Sequence, residues 1–259
     1  AALAIAAQLD AERAAGTVRG PLHGIPVLLK DNIATGDQMH TTAGAYALKD
    51  WRADRDAFLV QQLRNGGAII LGKANLSEWA GYLDPCTPNG FTALGGQTRN
   101  PFGPYDTLGS SSGSASSVSA KLATVSVGTE TAGSLVQPAR YNGVVGMRPS
   151  QGLVSRDHVI PLSPELDTPG PMGRSVTDVA LLLTREGLDA FKSRHLGRGW
   201  VERFAGSKGM RDTEHKVAIA SRLIDALAGE HGFRTQDIVV DCLTFPIATG
   251  QEETRRDGI

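Results

Sequence analysis

The chain has 259 residues, 41% of them hydrophobic and 20% charged, with a formal net charge of -1. That is long enough for one buried core, or one core with an appendage, and gives no reason to expect nucleic acid or an anionic membrane as partner. No apolar run approaches a bilayer span, and the only cysteines, Cys86 and Cys242, exclude a disulfide framework and argue against a structural zinc site.

The sequence begins at Ala1 with neither a methionine nor a signal-peptide pattern. The expected compartment is the cytoplasm, with secretion left open because a targeting segment could precede Ala1. Leu3, Ile5, Leu9 and the surrounding alanines predict a short helix ending at Gly16. A turn-rich stretch, Arg19 to Pro26, feeds the apolar strand Val27-Leu28-Leu29, which runs straight into Lys30-Asp31-Asn32. A lysine closing a buried strand is unusual, the plain alternative being a snorkelling surface lysine. Residues 56–64 predict a helix closed by Asn65-Gly66-Gly67, followed by a strand over 68–72 and a short helix over 76–79. This alternation of helix and strand predicts an α/β layered fold. Residues 85–104 form a long irregular segment rich in Gly, Pro, Asn and Thr, the kind of loop that is usually functional or disordered.

Next come two Ser/Gly-rich stretches, Gly109 to Ser114 and Gly128 to Ser134, expected as turns around the apolar segment Val118 to Val127. A helix is predicted over 112–121 and a strand over 124–127, with further short strands at 144–146 and 153–155. Ser175-x-x-Asp178 before Val179-Ala180-Leu181-Leu182-Leu183 matches a capping box opening an amphipathic helix. After Gly187 the texture becomes polar, and the basic cluster Arg194 to Arg203 reads as a solvated face. A helix over 217–228, a strand over 238–240 and a frayed tail over 251–259 complete the chain.

Three motifs compete to explain the chemistry. Gly67 to Lys73 copies the start of a phosphate-binding loop, but Ala74 replaces the magnesium-ligating Ser or Thr and the interior is a hydrophobic strand. Gly109-Ser110-Ser111-Ser112-Gly113 matches a G-x-S-x-G nucleophile elbow. It lacks a convincing strand before it, although His158, His195, His215 and His231 follow as possible bases. The third option is a serine served by a neutral lysine, which needs an apolar setting such as Lys30 has after Val27-Leu28-Leu29. Ser134 follows Thr131-Ala132-Gly133, small residues that let successive N–H groups converge on one point.

Gly24 to Asn32, Gly72 to Trp79, Gly109 to Ser114, Gly128 to Ala139, Tyr141 to Pro149 and Gly170 to Arg174 together resemble the amidase signature family. The resemblance covers residues 3–184 and rests on several separate motifs in the right order. It implies an α/β fold with a mixed β-sheet core covered by helices, incomplete relative to the longer family members. By resemblance, residues 1–187 form the amidase signature core and 188–259 a divergent C-terminal segment.

The family's Ser–cis-Ser–Lys triad falls on Ser134, Ser110 and Lys30, with Ser111 as a competitor for the cis-serine one residue away. The resemblance implies an oxyanion hole of backbone N–H groups from Thr131, Ala132, Gly133 and Ser134. Ala80, Ser110 and Thr131 should border a small-molecule amide substrate, with no cofactor and no metal. Ala132 stands where the family usually carries Gly or Asp, which matters if that position needs a positive φ. Two other outcomes remain open at this point. One is a binding remnant that keeps the triad but lacks a working pocket; the other is a Ser-His-Asp esterase acting through Ser111.

Overall fold

The computed structural model describes residues 1–84 and 86–186. Among them are helices α1 (Ala2–Ala14), α2 (Phe58–Asn65), α3 (Ser112–Ser119), α4 (Val136–Tyr141) and α5 (Val176–Glu186). The strands are β1 (Pro26–Lys30), β2 (Ile69–Ala74), β3 (Phe91–Thr92), β4 (Gly96–Gln97), β5 (Val125–Glu130), β6 (Val145–Gly146) and β7 (Thr168–Gly173). The main sheet has the order β2-β1-β5-β7-β6, and β3 and β4 form a separate hairpin. β2, β1 and β5 run parallel, whereas β7 is antiparallel to both of its neighbours. The expected α/β class with a mixed sheet is therefore correct.

Strand alternation explains the layers. Val27 and Leu29 of β1 and Val125 and Val127 of β5 share one core with Leu59, Val60 and Leu63 of α2 and Leu182 and Leu183 of α5. A second core joins Ala115 and Val118 of α3, Leu135, Ala139 of α4, Val144 and Met172 of β7. The parallel strands end at Lys30, Ala74 and Glu130. In open α/β sheets that carboxyl edge is where ligands bind. The capping box at α5 is present: Asp178 N donates to Ser175 Oγ and Ser175 N to Asp178 Oδ2, both at 3.1 Å.

Several local expectations are corrected. The stretch 76–79 is not a helix; a single 3-10 turn lies at Glu78–Gly81, with Trp79 and Ala80 both left-handed. Residues 153–155 form no strand. β5 continues through Gly128-Thr129-Glu130, where a turn was expected, while α3 begins at Ser112, inside the first Ser/Gly stretch, as expected. Both exceptions to Ser/Gly propensity have one cause, close packing. A Cβ on Gly128 would lie 2.8 Å from Ser111 Oγ, and one on Gly113 would overlap the Asn75 backbone, 2.7 Å from its nitrogen. α4 and β7 were not anticipated; β7 contains Pro169, Gly170 and Pro171, residues that argue against a central strand. The helix over 217–228, the strand over 238–240, the basic cluster and the tail lie outside the described residues, as does the segment 188–259.

Gly113→Ala tests this close packing. In an isolated helix the change would stabilise by up to about 1 kcal/mol. Here it should destabilise by roughly 1–3 kcal/mol because the Asn75 backbone must move. Urea unfolding of the two proteins measures the difference, and a gain in stability would contradict the packing.

Candidate active site

Lys30 is the last residue of β1 and is fully buried. Its Nζ lies 2.7 Å from Ser110 Oγ and donates to the Thr129 carbonyl at 3.2 Å. Among the described residues it makes no ion pair. Burial pushes the amine down from its ordinary value to about 7, against an opposing pull from the Glu130 and Asp167 carboxylates. Lys73, at the neighbouring strand end, is also lowered by burial, to about 8. That amine is engaged elsewhere, donating to Thr41 Oγ1 at 2.8 Å and lying 3.7 Å from Asp31 Oδ1.

Ser110 follows a cis peptide bond from Gly109, and its carbonyl accepts the Ser77 N–H at 2.9 Å. The lysine therefore meets Ser110 and not Ser111. Ser111 Oγ donates to the Thr129 carbonyl at 2.9 Å and accepts the Thr129 N–H at 3.2 Å. Both of its hydrogen-bonding roles are thus spent on β5. His158, the one described histidine of the four that follow the elbow, sits beside Asp157 and Asp54, with no hydrogen bond to Ser111. This removes the described basis for the elbow, while His195, His215 and His231 lie outside the described residues.

Ser134 is buried, and its carbonyl accepts the Ser111 N–H at 3.2 Å. No hydrogen bond to Ser134 Oγ is present among the described residues. The loop before it turns at Gly133, whose φ is +80°, while Ala132 is not left-handed. The glycine therefore takes the position a side chain could not, and alanine is compatible with the turn. Among the described residues, the N–H groups of Thr131, Ala132, Gly133 and Ser134 have no acceptor, although each of the next two does. Glu130 Oε2 accepts Leu135 N at 2.7 Å and Val136 N at 3.2 Å, at the start of α4, where a carboxylate is favoured. Its Oε1 lies 3.2 Å from Arg148 Nε. On the loop's other flank Thr131 Oγ1 donates to Asp167 Oδ1 at 2.6 Å. Ala80 and Thr131 line one cavity, which runs alongside this loop. Among the described residues no His, Cys, Asp and Glu side chains cluster as a metal site.

A family model described as amidase matches residues 1–223. The chain belongs to the amidase family. The amidase match runs beyond the 3–184 covered by the motifs. A Schizosaccharomyces pombe protein named as an amidase is 52% identical over 177 residues, which is 68% of this chain and 30% of the relative. An Arabidopsis thaliana protein, likewise named, is 50% identical over 238 residues, 87% of this chain and 46% of the relative. The crystal structure of a peptide amidase from Stenotrophomonas maltophilia matches with a TM-score of 0.70 at 50% identity, covering 80% of this chain and 41% of that one. The chain thus spans less than half the length of each of these amidases.

Of the amidase residues expected from sequence, Lys30 and Ser110 are in direct contact, and Ser134 is tied to the adjoining Ser111 through the backbone. Ala80 and Thr131 border the same cavity. Glu130 and Asp167 were missed as site residues. Glu130 had a signal, an acid just before a helix start inside a quoted motif. Asp167 had none, because the strand it precedes is disguised by prolines.

Glu130→Ala removes the acceptor of two backbone N–H groups and the partner of Arg148. The expected loss is about 2–4 kcal/mol, from buried donors left unpaired. Denaturant unfolding measures it, and a neutral result would mean that Glu130 does not hold this loop.

Proposed function

We propose that this protein hydrolyses a carboxylic amide to the acid and ammonia or an amine, through an acyl-enzyme on Ser134. Neutral Lys30 takes the proton of Ser110, and Ser110 takes that of Ser134 as its Oγ bonds to the amide carbonyl carbon. The carbonyl π electrons move to oxygen, and the oxyanion is held by the N–H groups of Thr131, Ala132, Gly133 and Ser134. Collapse breaks the C–N bond, and the departing nitrogen takes the relayed proton from Ser110, which recovers one from Lys30. A water molecule then repeats the sequence on the ester and frees Ser134.

The observation that carries this reading is the buried Lys30 amine at 2.7 Å from Ser110 Oγ. A lysine held near neutrality accepts a proton at physiological pH, which an exposed one does not. The unengaged N–H groups of residues 131–134 support the oxyanion assignment, since donors spent within the fold could not serve. The name of the Stenotrophomonas relative makes peptide amides a substrate class to include in any screen.

Two measurements test the proposal. A fluorophosphonate should modify Ser134, located by peptide mapping, and Lys30→Ala should reduce the labelling rate by at least ~100-fold. A folded protein that takes up no label would instead favour the binding remnant. The active form is the neutral amine, which becomes populated as pH rises through about 7. Activity should therefore climb between roughly pH 6 and 8 and then level off. Glu130→Gln should move that limb to lower pH, because the lost negative charge no longer favours the ammonium. A limb displaced upward, or not at all, would contradict the electrostatic link.

A further inference from the structure

Beside the loop 131–134 lies a cavity of about 200 Å³, bordered by Thr131 and Ala80. Leu76, Trp79, Val159, Ile160, Leu162 and Pro169 form its apolar wall. Trp79 and Ala80 are held there in left-handed conformations, with φ of 47° and 60°. Such strain is characteristic of ligand-contacting segments.

Two charged side chains, Asp167 and Arg156, and the neutral amide of Asn32 stand among the polar groups around the cavity. Asp167 accepts Thr131 Oγ1 at 2.6 Å, Leu162 N at 2.7 Å and Ser163 N at 2.9 Å, so its carboxylate is spent on holding the wall. Arg156 is exposed and donates to the Pro164 carbonyl. Asn32 places its nitrogen 3.0 Å from Thr129 Oγ1, and its oxygen, shielded from solvent, has no partner. Among the described residues Arg156 makes no ion pair, so charge of both signs borders the cavity and the apolar wall is what selects the group inside it.

Size narrows the ligand further. An apolar cavity of about 150 Å³ accepts benzene. The volume here fits one ring with its methylene, or a branched aliphatic group of that size. We propose, resting on the amide-hydrolase reading, that this cavity takes a neutral apolar group of about one ring's size carried by the amide substrate. The cavity thereby sets preference for ring-bearing amides over small ones.

The test compares acetamide, phenylacetamide and N-benzylacetamide, first as ligands of Ser134→Ala by calorimetric or NMR titration and then as substrates of the unaltered protein. Burying one ring should favour phenylacetamide or N-benzylacetamide over acetamide by roughly 10–100-fold in affinity and in kcat/KM. The first being preferred puts the ring on the acyl side, the second on the amine side. Val159→Phe fills the cavity and should bring the ring-to-acetamide ratio close to one, and Ile160→Ala should shift preference toward a naphthyl analogue. Equal binding of ring-bearing and small amides, or a ratio that survives Val159→Phe, would overturn the assignment. Binding preference without hydrolysis of any amide and without Ser134 labelling would leave the cavity assignment standing and remove the hydrolase reading instead.

Discussion

The site depends on a lysine amine held out of water at the end of a buried strand. Burial disfavours the ammonium far more than the neutral amine, so the fold itself sets the protonation state. Among the described residues Lys30 has no carboxylate in ion-pair contact, and its amine meets Ser110 Oγ and the Thr129 carbonyl. Lys73 shows the contrast: it is part-buried, and Asp31 and Thr41 occupy its amine. Among the described residues Lys30 is the fully buried lysine, and its close neighbour is a serine hydroxyl.

Meeting that hydroxyl requires the whole sheet. Lys30 and Ser110 are 80 residues apart, and Lys30 and Thr129 are 99 apart. The parallel pairing of β1 with β5 sets Leu29 opposite Val127, and β5 runs on past the end of β1 to Glu130, which brings the Thr129 carbonyl to the Lys30 amine. The Ser/Gly composition then lets α3 approach closely enough for Ser110 to reach the amine and for Ser111 to pin β5. Glu130 and Asp167 secure the loop that follows, one from each flank. Serine, glycine and alanine recur here because larger side chains would separate the segments.

The alternation of Val27, Leu29, Val125 and Val127 was legible as buried strand because apolar periodicity is local. Lys30 and Ser134 were candidates on their local setting and Ser110 came from motif resemblance, while the plain reading left a snorkelling lysine and an esterase elbow open. What separated those readings was contact between distant segments: Ser111 spends its hydroxyl on Thr129, and His158 sits among surface aspartates. β7 escaped because its prolines and glycines contradict strand propensity, and its burial between β5 and β6 is a tertiary fact. The helical reading of 76–79 failed for the related reason that two left-handed residues, Trp79 and Ala80, are imposed by surrounding structure. The concern over Ala132 disappeared once the positive φ was found at Gly133.

The central claim is that Lys30 carries no proton when it meets Ser110. Its side-chain ¹³Cε resonance, followed by NMR across pH and assigned by its absence in Lys30→Met, reports that directly. The account predicts an inflection near 7, as burial dictates. An inflection at about 10.4, the value of a solvated lysine, would contradict it.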